Sequence, residues 1–323
     1  MKTSIIRRSL LAAGLLAALP FAQAQAEFPD RPIRLMVGYS AGGGVDALAR
    51  MLSARLPAVL GQQVVVENRP GATGMIAADQ VAKAAPDGYT LLLGESGMLI
   101  APHLQARSLL DPLKALAPVA GTFVAPLMVV ANKDFPATDP RQLVDQLKKN
   151  PGKYSYATSG VGTVHHLGME MLKARTGSFV VHVPYRGAAQ ILPDVISGQI
   201  PLGVVSAAAG MAQAKAGKLR AVGLMSAAKL AGAEDVPAFA TALPGFDVAP
   251  RIMLLAPAGT PAPVIEKLNA AVRTVLASAD LAQAAALQGA IPSYLPPAQL
   301  AREMQREYAD WGKLIQVQKI TAD

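Results

Sequence analysis

From position 33 onward the chain alternates short apolar runs with longer stretches in which apolar residues return every three or four positions. Ile33-Arg34-Leu35-Met36-Val37, Gln63-Val64-Val65-Val66 and Tyr89-Thr90-Leu91-Leu92-Leu93 are compact runs bounded by turn residues, and they predict strands buried on both faces. Helices are predicted between them over 45–60 and 74–85. A second series follows: an apolar run over 127–130, a helix opened by Asp139-Pro140 and closed by Asn150-Pro151-Gly152, a run over 154–156, a helix over 164–175 and a run over 180–183. Asp as N-cap with Pro in the first helical position marks a helix start, because the cap accepts an orphan N–H and Pro has none to leave unpaired. Alternation of this kind predicts parallel sheets with crossover helices, an α/β architecture.

A third region opens with a strand over 251–255 and the turn Ala256-Pro257-Ala258-Gly259-Thr260-Pro261. The helix after it aligns Val264, Leu268, Val272, Val275 and Leu276, and a last helix from about 298 aligns Leu300, Met304, Tyr308, Trp311 and Ile315. Such stripes predict core packing, so Tyr308 and Trp311 are read as packing residues. The chain is long for one core, which predicts two domains. Its hydrophobic fraction of 52% owes much to alanine and fits helices packed on buried strands.

The first 26 residues follow a different pattern. Lys2, Arg7 and Arg8 precede an apolar stretch, and Ala22-Gln23-Ala24-Gln25-Ala26 offers two overlapping A-x-A sites. An export signal cleaved after Ala26 is expected, because the apolar stretch is too short and poorly flanked to span a bilayer. Its removal lowers the net charge from +8 to +5. The chain has no cysteine, which excludes disulfides, thiolate chemistry and an anchor through an amino-terminal Cys. A freely diffusing periplasmic monomer is the expectation. Scattered Lys and Arg with few aromatics give no nucleic-acid footprint.

Two Gly-rich turns carry the candidate chemistry. Gly38-Tyr39-Ser40-Ala41-Gly42 reads G-x-S-x-G, the pattern of a hydrolase nucleophile elbow, but it runs on through Gly43, Gly44 and Asp46 into a helix. Ser159-Gly160-Val161-Gly162-Thr163 likewise stands between a strand and a helix. A helix start exposes unpaired N–H groups and a positive dipole end, and glycine lets a ligand approach the backbone. Two such turns, one in each half, fit an anion held across an interdomain cleft. The secreted-hydrolase alternative needs a base for Ser40, and the histidines are His103, His165, His166 and His182. Adjacent His165 and His166 diverge on a helix and lack metal-ligand spacing, so no metal and no cofactor is expected.

Phe28-Pro29-Asp30-Arg31-Pro32-Ile33-Arg34, the Gly42-Gly43-Gly44-x-Asp46 turn, Val64-Val65-Val66-Glu67-Asn68-Arg69-Pro70-Gly71 and Ala84-Ala85-Pro86-Asp87-Gly88-Tyr89-Thr90-Leu91 occur in order. Ser159-Gly160-x-Gly162, His182-Val183-Pro184-Tyr185-Arg186-Gly187 and Ala216-Gly217-Lys218-Leu219-Arg220 follow. Over essentially the whole chain after position 26 this combination resembles the Bug family of periplasmic solute receptors of tripartite tricarboxylate transporters. The resemblance implies a two-domain periplasmic binding protein of Venus-flytrap, type II-like fold. It places domain I at 27–125 plus 250–323 and domain II at 126–249. It also implies a non-enzymatic receptor that takes a small organic acid or amino acid and hands it to integral membrane transporter subunits. A sensor kinase reading the closed form is the alternative partner.

Carried onto this chain, the resemblance places Tyr39, Ser40, Gly42, Gly43, Gly44 and Asp46 on one lip and Ser159, Gly160, Gly162 and Thr163 on the other. Asp46 suits either a ligand contact or a cap, and Ser40, Ser159 and Thr163 suit both roles at once. Three positions depart from the family pattern. Glu95 and Ser96 put a carboxylate in the loop after the third strand, where it repels an anion but can pair with an amine or share a proton. Ser206, after Val205, removes polar capacity from one wall. Arg251 forms a carboxylate clamp if it points inward, and surface placement is expected.

Overall fold

The run Ile33–Val37 forms β1, whose Ile33, Leu35, Met36 and Val37 are completely buried. Burial of such side chains contributes roughly 1.5–3 kcal/mol each. The computed structural model describes residues 27–104, 110–185 and 188–321; the export signal expected over 1–26 and the Arg186-Gly187 pair lie outside the described residues. After β1 come α1 (Gly44–Ser53), α2 (Pro57–Leu60), β2 (Val64–Asn68), a 3-10 turn (Ala72–Gly74) and α3 (Met75–Ala82). β3 (Thr90–Glu95), α4 (Gly97–Leu104), α5 (Pro112–Ala115) and β4 (Leu116–Val124) complete the first passage. The single helix predicted over 45–60 is two, since Pro57 cannot donate into a continuing helix.

The chain then crosses through Ala125-Pro126 into a second sheet. Its elements are β5 (Leu127–Asn132), α6 (Pro140–Lys149), β6 (Ser155–Thr158), α7 (Val164–Thr176), β7 (Val181–Pro184), α8 (Ala188–Ser197), β8 (Leu202–Ser206), α9 (Ala207–Lys215) and β9 (Leu219–Leu224). The predicted Asp139 cap is present, with the side chain accepting from Gln142 N at 2.9 Å. The chain returns through 248–250 to β10 (Arg251–Pro257), α10 (Ala262–Leu276), α11 (Ala279–Leu287), β11 (Ile291–Leu295) and α12 (Pro297–Gln318).

The first lobe's sheet has the order β11-β4-β10-β3-β1-β2, and the second lobe's β7-β6-β8-β5-β9. Both are mixed. β1 pairs in parallel with β2 and β3, and β6 in parallel with β7 and β8, as the alternation predicts. β10 runs antiparallel to β3 and β4, and β5 antiparallel to β8 and β9. These two strands enter from the other lobe, with no α-helix between β4 and β5 and only a 3-10 turn, Phe239–Thr241, between β9 and β10. The crossing segments are themselves bonded, Ala125 N donating to Pro250 O at 2.9 Å.

The last helix, α12, serves both lobes. Its Leu300 and Met304 pack with Met36 and Leu92 of the first lobe, whereas Trp311 and Ile315 join the second lobe's core with Leu167 and Phe246. A helix of 22 residues extends about 33 Å, long enough to span the junction. One apolar stripe therefore meets two cores.

Candidate functional site

The first Gly-rich turn leaves β1 and enters α1. Asp46, 2% exposed, accepts from Gly42 N at 2.9 Å, Arg50 Nε at 2.9 Å and Asn68 Nδ2 at 2.9 Å. These bonds, led by that from Arg50, hold its carboxyl down at about 2. Asp46 therefore fastens the turn to β2 and does not reach the cleft. Ser40 and Gly42 are exposed, and the Ser40 carbonyl accepts from Gly43 N at 3.2 Å. Among the described residues no histidine bonds the Ser40 hydroxyl. Only Tyr39 and Gly44 of the lip's six expected residues line the cavity.

The second turn leaves β6 and enters α7. Thr163 caps the helix, accepting from His166 N at 3.3 Å and donating to Gly160 O at 2.8 Å. Gly162 has φ +74, and a Cβ on it would stand 2.3 Å from Leu104 Cδ1 in the opposite lobe. The left-handed backbone favours glycine there, and a side chain would also have to displace the Leu104 methyl. Gly160 and Gly162 shape the turn, while Ser159 and Thr163 line the cavity.

Between the lobes lies a cavity of about 310 Å³. Gly44 and Val45 present the first turn of α1 to it, Gly97 that of α4, and Val164 and His165 that of α7; Ser206, the N-cap of α9, lines it too. Four positive helix ends thus converge on one space. Among the described residues, no Lys or Arg lines it. Val45, Leu48, Leu127 and Ile252 supply apolar wall. His165 has its pKa lowered to about 4 by burial, so its imidazole is neutral at pH 7. No group of three or more His, Asp or Glu is placed to hold a metal among the described residues.

Glu95 lies on the cavity wall as the last residue of β3, one step earlier than the loop position expected for it. Tyr39 donates its hydroxyl to Glu95 Oε2. Burial is the main force on the carboxyl, pushing it up to about 7 against the bonds from Tyr39 and Gly97 N–H. Ser96 departs from expectation, for it faces away from the cleft. Its hydroxyl donates to Glu307 Oε2 at 2.8 Å and accepts from Arg251 N at 2.9 Å, and the residue is buried. The strand ends at Glu95, and Ser96, in the turn that follows, is drawn to the other side by its bonds to Glu307 and Arg251. Arg251 is neither a clamp nor a surface residue: its Nε lies 3.3 Å from Glu307 and its Nη2 3.8 Å from Glu303, both on α12.

Several lining residues carry no signal in the sequence. Thr73 belongs to a turn whose helix start reads as ordinary, and Gln288, Gly289 and Ala290 arrive from a segment 250 residues away from the first lip. A Cβ on Gly289 would stand 2.5 Å from Ala208 Cβ in the second lobe, so that segment too bridges the cleft. Gly44 marks the reverse case, for a Cβ there meets nothing within 4 Å. Gly44→Phe is expected to obstruct the cavity while shifting the unliganded melting temperature by less than about 2 °C, as surface substitutions usually do. Differential scanning fluorimetry with and without a bound acid measures both.

Two α/β lobes, two bonded crossing segments and a cleft ringed by helix N-termini define a solute-binding receptor. The chain belongs to the family described as tripartite tricarboxylate transporter family receptors, whose model matches residues 48–320. A UPF0065 protein from the tcbD-tcbE intergenic region of Pseudomonas sp. (strain P51) is 34% identical over 326 residues, covering 99% of this chain and 97% of that one. The solved structure of the periplasmic binding protein BugD is 30% identical with a TM-score of 0.75, covering 91% of this chain and 99% of BugD. Rpa4515 of R. palustris, solved with adipate, is 31% identical with a TM-score of 0.79 over 91% of this chain and 99% of its own.

Proposed function

We propose that the protein is an exported periplasmic receptor that captures a small carboxylate-bearing solute between its lobes and delivers it to the integral subunits of a tripartite carrier. The observation that carries this reading is the convergence of the α1, α4, α7 and α9 N-termini on a cavity without Lys or Arg among the described residues. Backbone N–H groups and hydroxyls then supply the recognition of negative charge. A hydrogen bond to a charged group contributes about 1.5–3 kcal/mol net, so four of them give about 6–12 kcal/mol before ordering costs, a range that brackets the roughly −8 kcal/mol of micromolar binding. A relative solved with adipate supports a carboxylate-bearing solute.

Because both lobes line the cavity, a ligand stabilises their closed arrangement and with it the surface a carrier reads. The test is calorimetry against small carboxylic and amino acids, using wild type and a Ser159→Ala/Thr163→Ala variant. Loss of both hydroxyls is expected to weaken binding at least tenfold. Thr163→Ala also removes a helix cap, at about 1 kcal/mol of stability. Absence of binding to any acid, or unchanged affinity in both this variant and Gly44→Phe, rejects the reading. Uptake of the bound acid by cells is expected to fall when the gene is deleted and to return with wild type, but not with Gly44→Phe.

A further inference from the structure

Four positive helix ends lead one to expect a cleft for anions alone, yet a carboxylate stands in the wall. Glu95 is the one Asp, Glu, Lys or Arg among the described residues lining the cavity. Tyr39, on the same lobe, fixes one carboxylate oxygen with its hydroxyl, and Gly97 N–H, at the start of α4, supplies a second bond. The α4 helix end is thereby already answered by Glu95. The α1 end carries the ionised Asp46 in its own first turn, so the α7 and α9 ends, with Ser159, Thr163 and Ser206 beside them, are left facing the space.

We infer that Glu95, positioned by Tyr39, is a subsite for an ammonium group, and that the solute is an amino carboxylate with a predominantly apolar body. The inference rests on the cleft being the solute site and adds the class of solute. A carboxylate at the lobe-two turn and an ammonium at Glu95 leave no like-charged neighbours. A dicarboxylate brings its second negative charge into a cavity whose wall supplies no cationic side chain and already holds an acid. Val45, Leu48, Leu127 and Ile252 suit aliphatic carbons between the two ends.

The titration of Glu95 gives this inference a readout with a sign. The unliganded carboxyl, pushed up to about 7 by burial, with the Glu307 carboxylate of α12 adding to it, is partly protonated at neutral pH. An ammonium partner favours the ionised form and expels the proton. A second carboxylate favours the protonated form and takes a proton up. Isothermal titration at pH 7, repeated in buffers of different ionisation enthalpy, measures which occurs.

The probes are pairs in which an ammonium replaces one carboxylate on the same skeleton: 4-aminobutyrate with glutarate, 5-aminopentanoate with adipate, and L-valine with isopropylmalonate. The amino member is expected to bind at least tenfold more tightly in one or more pairs, with proton release. Glu95→Gln should abolish that preference and the release together, and Tyr39→Phe should weaken the preference while Glu95 is retained. Circular dichroism melts establish that each variant is folded. Tighter binding of the dicarboxylates, proton uptake, or an unchanged ratio in a folded Glu95→Gln variant overturns the inference. If those dicarboxylates bind and Gly44→Phe abolishes it, the cleft receptor stands and only the ammonium subsite falls. No binding by any of the six overturns the inference, and no binding by the wider set of acids rejects the receptor as well.

Discussion

Glu170→Ala is expected to lower the stability by about 3–5 kcal/mol, the usual cost of removing one partner from a buried ion pair. At a few degrees per kcal/mol, the melting temperature falls by about 10 °C. Glu170 is 5% exposed on α7, and one oxygen accepts from both Tyr156 Oη at 2.7 Å and Lys173 Nζ at 2.7 Å. The same oxygen lies 3.7 Å from His166 Nε2. Deleting the carboxylate strands a largely buried ammonium and a buried phenol together, beneath the turn that forms the second lip. Replacing Lys173 in the same background with Met removes the stranded charge, and part of the loss should return. Thermal and urea denaturation of the single and double variants measures the coupling. A drop below about 1 kcal/mol in Glu170→Ala contradicts the picture of a buried network.

Acid is expected to loosen the second lip through His166. Gly162 N donates to His166 Nδ1 at 3.2 Å, which makes that nitrogen an acceptor and assigns the proton to Nε2, facing Glu170. A second proton must go to Nδ1, where it opposes the Gly162 N–H. The ring also stacks on His182 at 3.9 Å between centroids, while His182 Nε2 bonds Thr158 Oγ1 at 2.7 Å. Burial, with Lys173 adding to it, lowers His166 from 6.5 to about 4.

The sign follows from proton counts. Below pH 6.5 the unfolded chain binds a proton at this residue and the folded chain does not, until the pH approaches 4. Stability from His166 is therefore whole above pH 6.5 and lost as pH falls through that window, by up to about 3 kcal/mol. Glu95 acts oppositely. Its folded value, raised to about 7, makes acidification from 7 towards 4.5 stabilising. His165 and His182, both lowered to about 4, add to the loss. The clean measurement is the difference between wild type and His166→Gln, which shares the other groups and keeps an acceptor for Gly162. The wild type should lose more stability than the variant between pH 6.5 and 4. Parallel curves contradict the assignment.

Most of the local design is legible along the chain. The alternation of apolar runs gives β1, β2 and β3, Asp139-Pro140 gives the start of α6, and both Gly-rich turns sit where a strand hands over to a helix. These features are local: they depend on side-chain period, on caps and on the backbone freedom of glycine. Of the two roles open to Asp46 in the sequence, the hydrogen bonds match capping, and Asn68, 22 residues on, brings the third of them. Ser96 and Arg251 point to Glu307, on a helix whose apolar stripe predicts core packing but carries no sign of this polar contact.

The sequence by itself determined an α/β chain with two turns built to expose helix N-termini, since periodicity and capping act over a few residues. Only the tertiary structure decided which groups share the cleft. β10 and β5 run antiparallel to their neighbours because they cross between lobes, and that crossing brings Ile252, Ala290 and Glu95 together with Ser159 and Thr163. The pairing of Tyr39 with Glu95 arises because β1 and β3 lie side by side in parallel register, Val37 opposite Leu93, which brings Tyr39, two residues past β1, level with Glu95 at the end of β3.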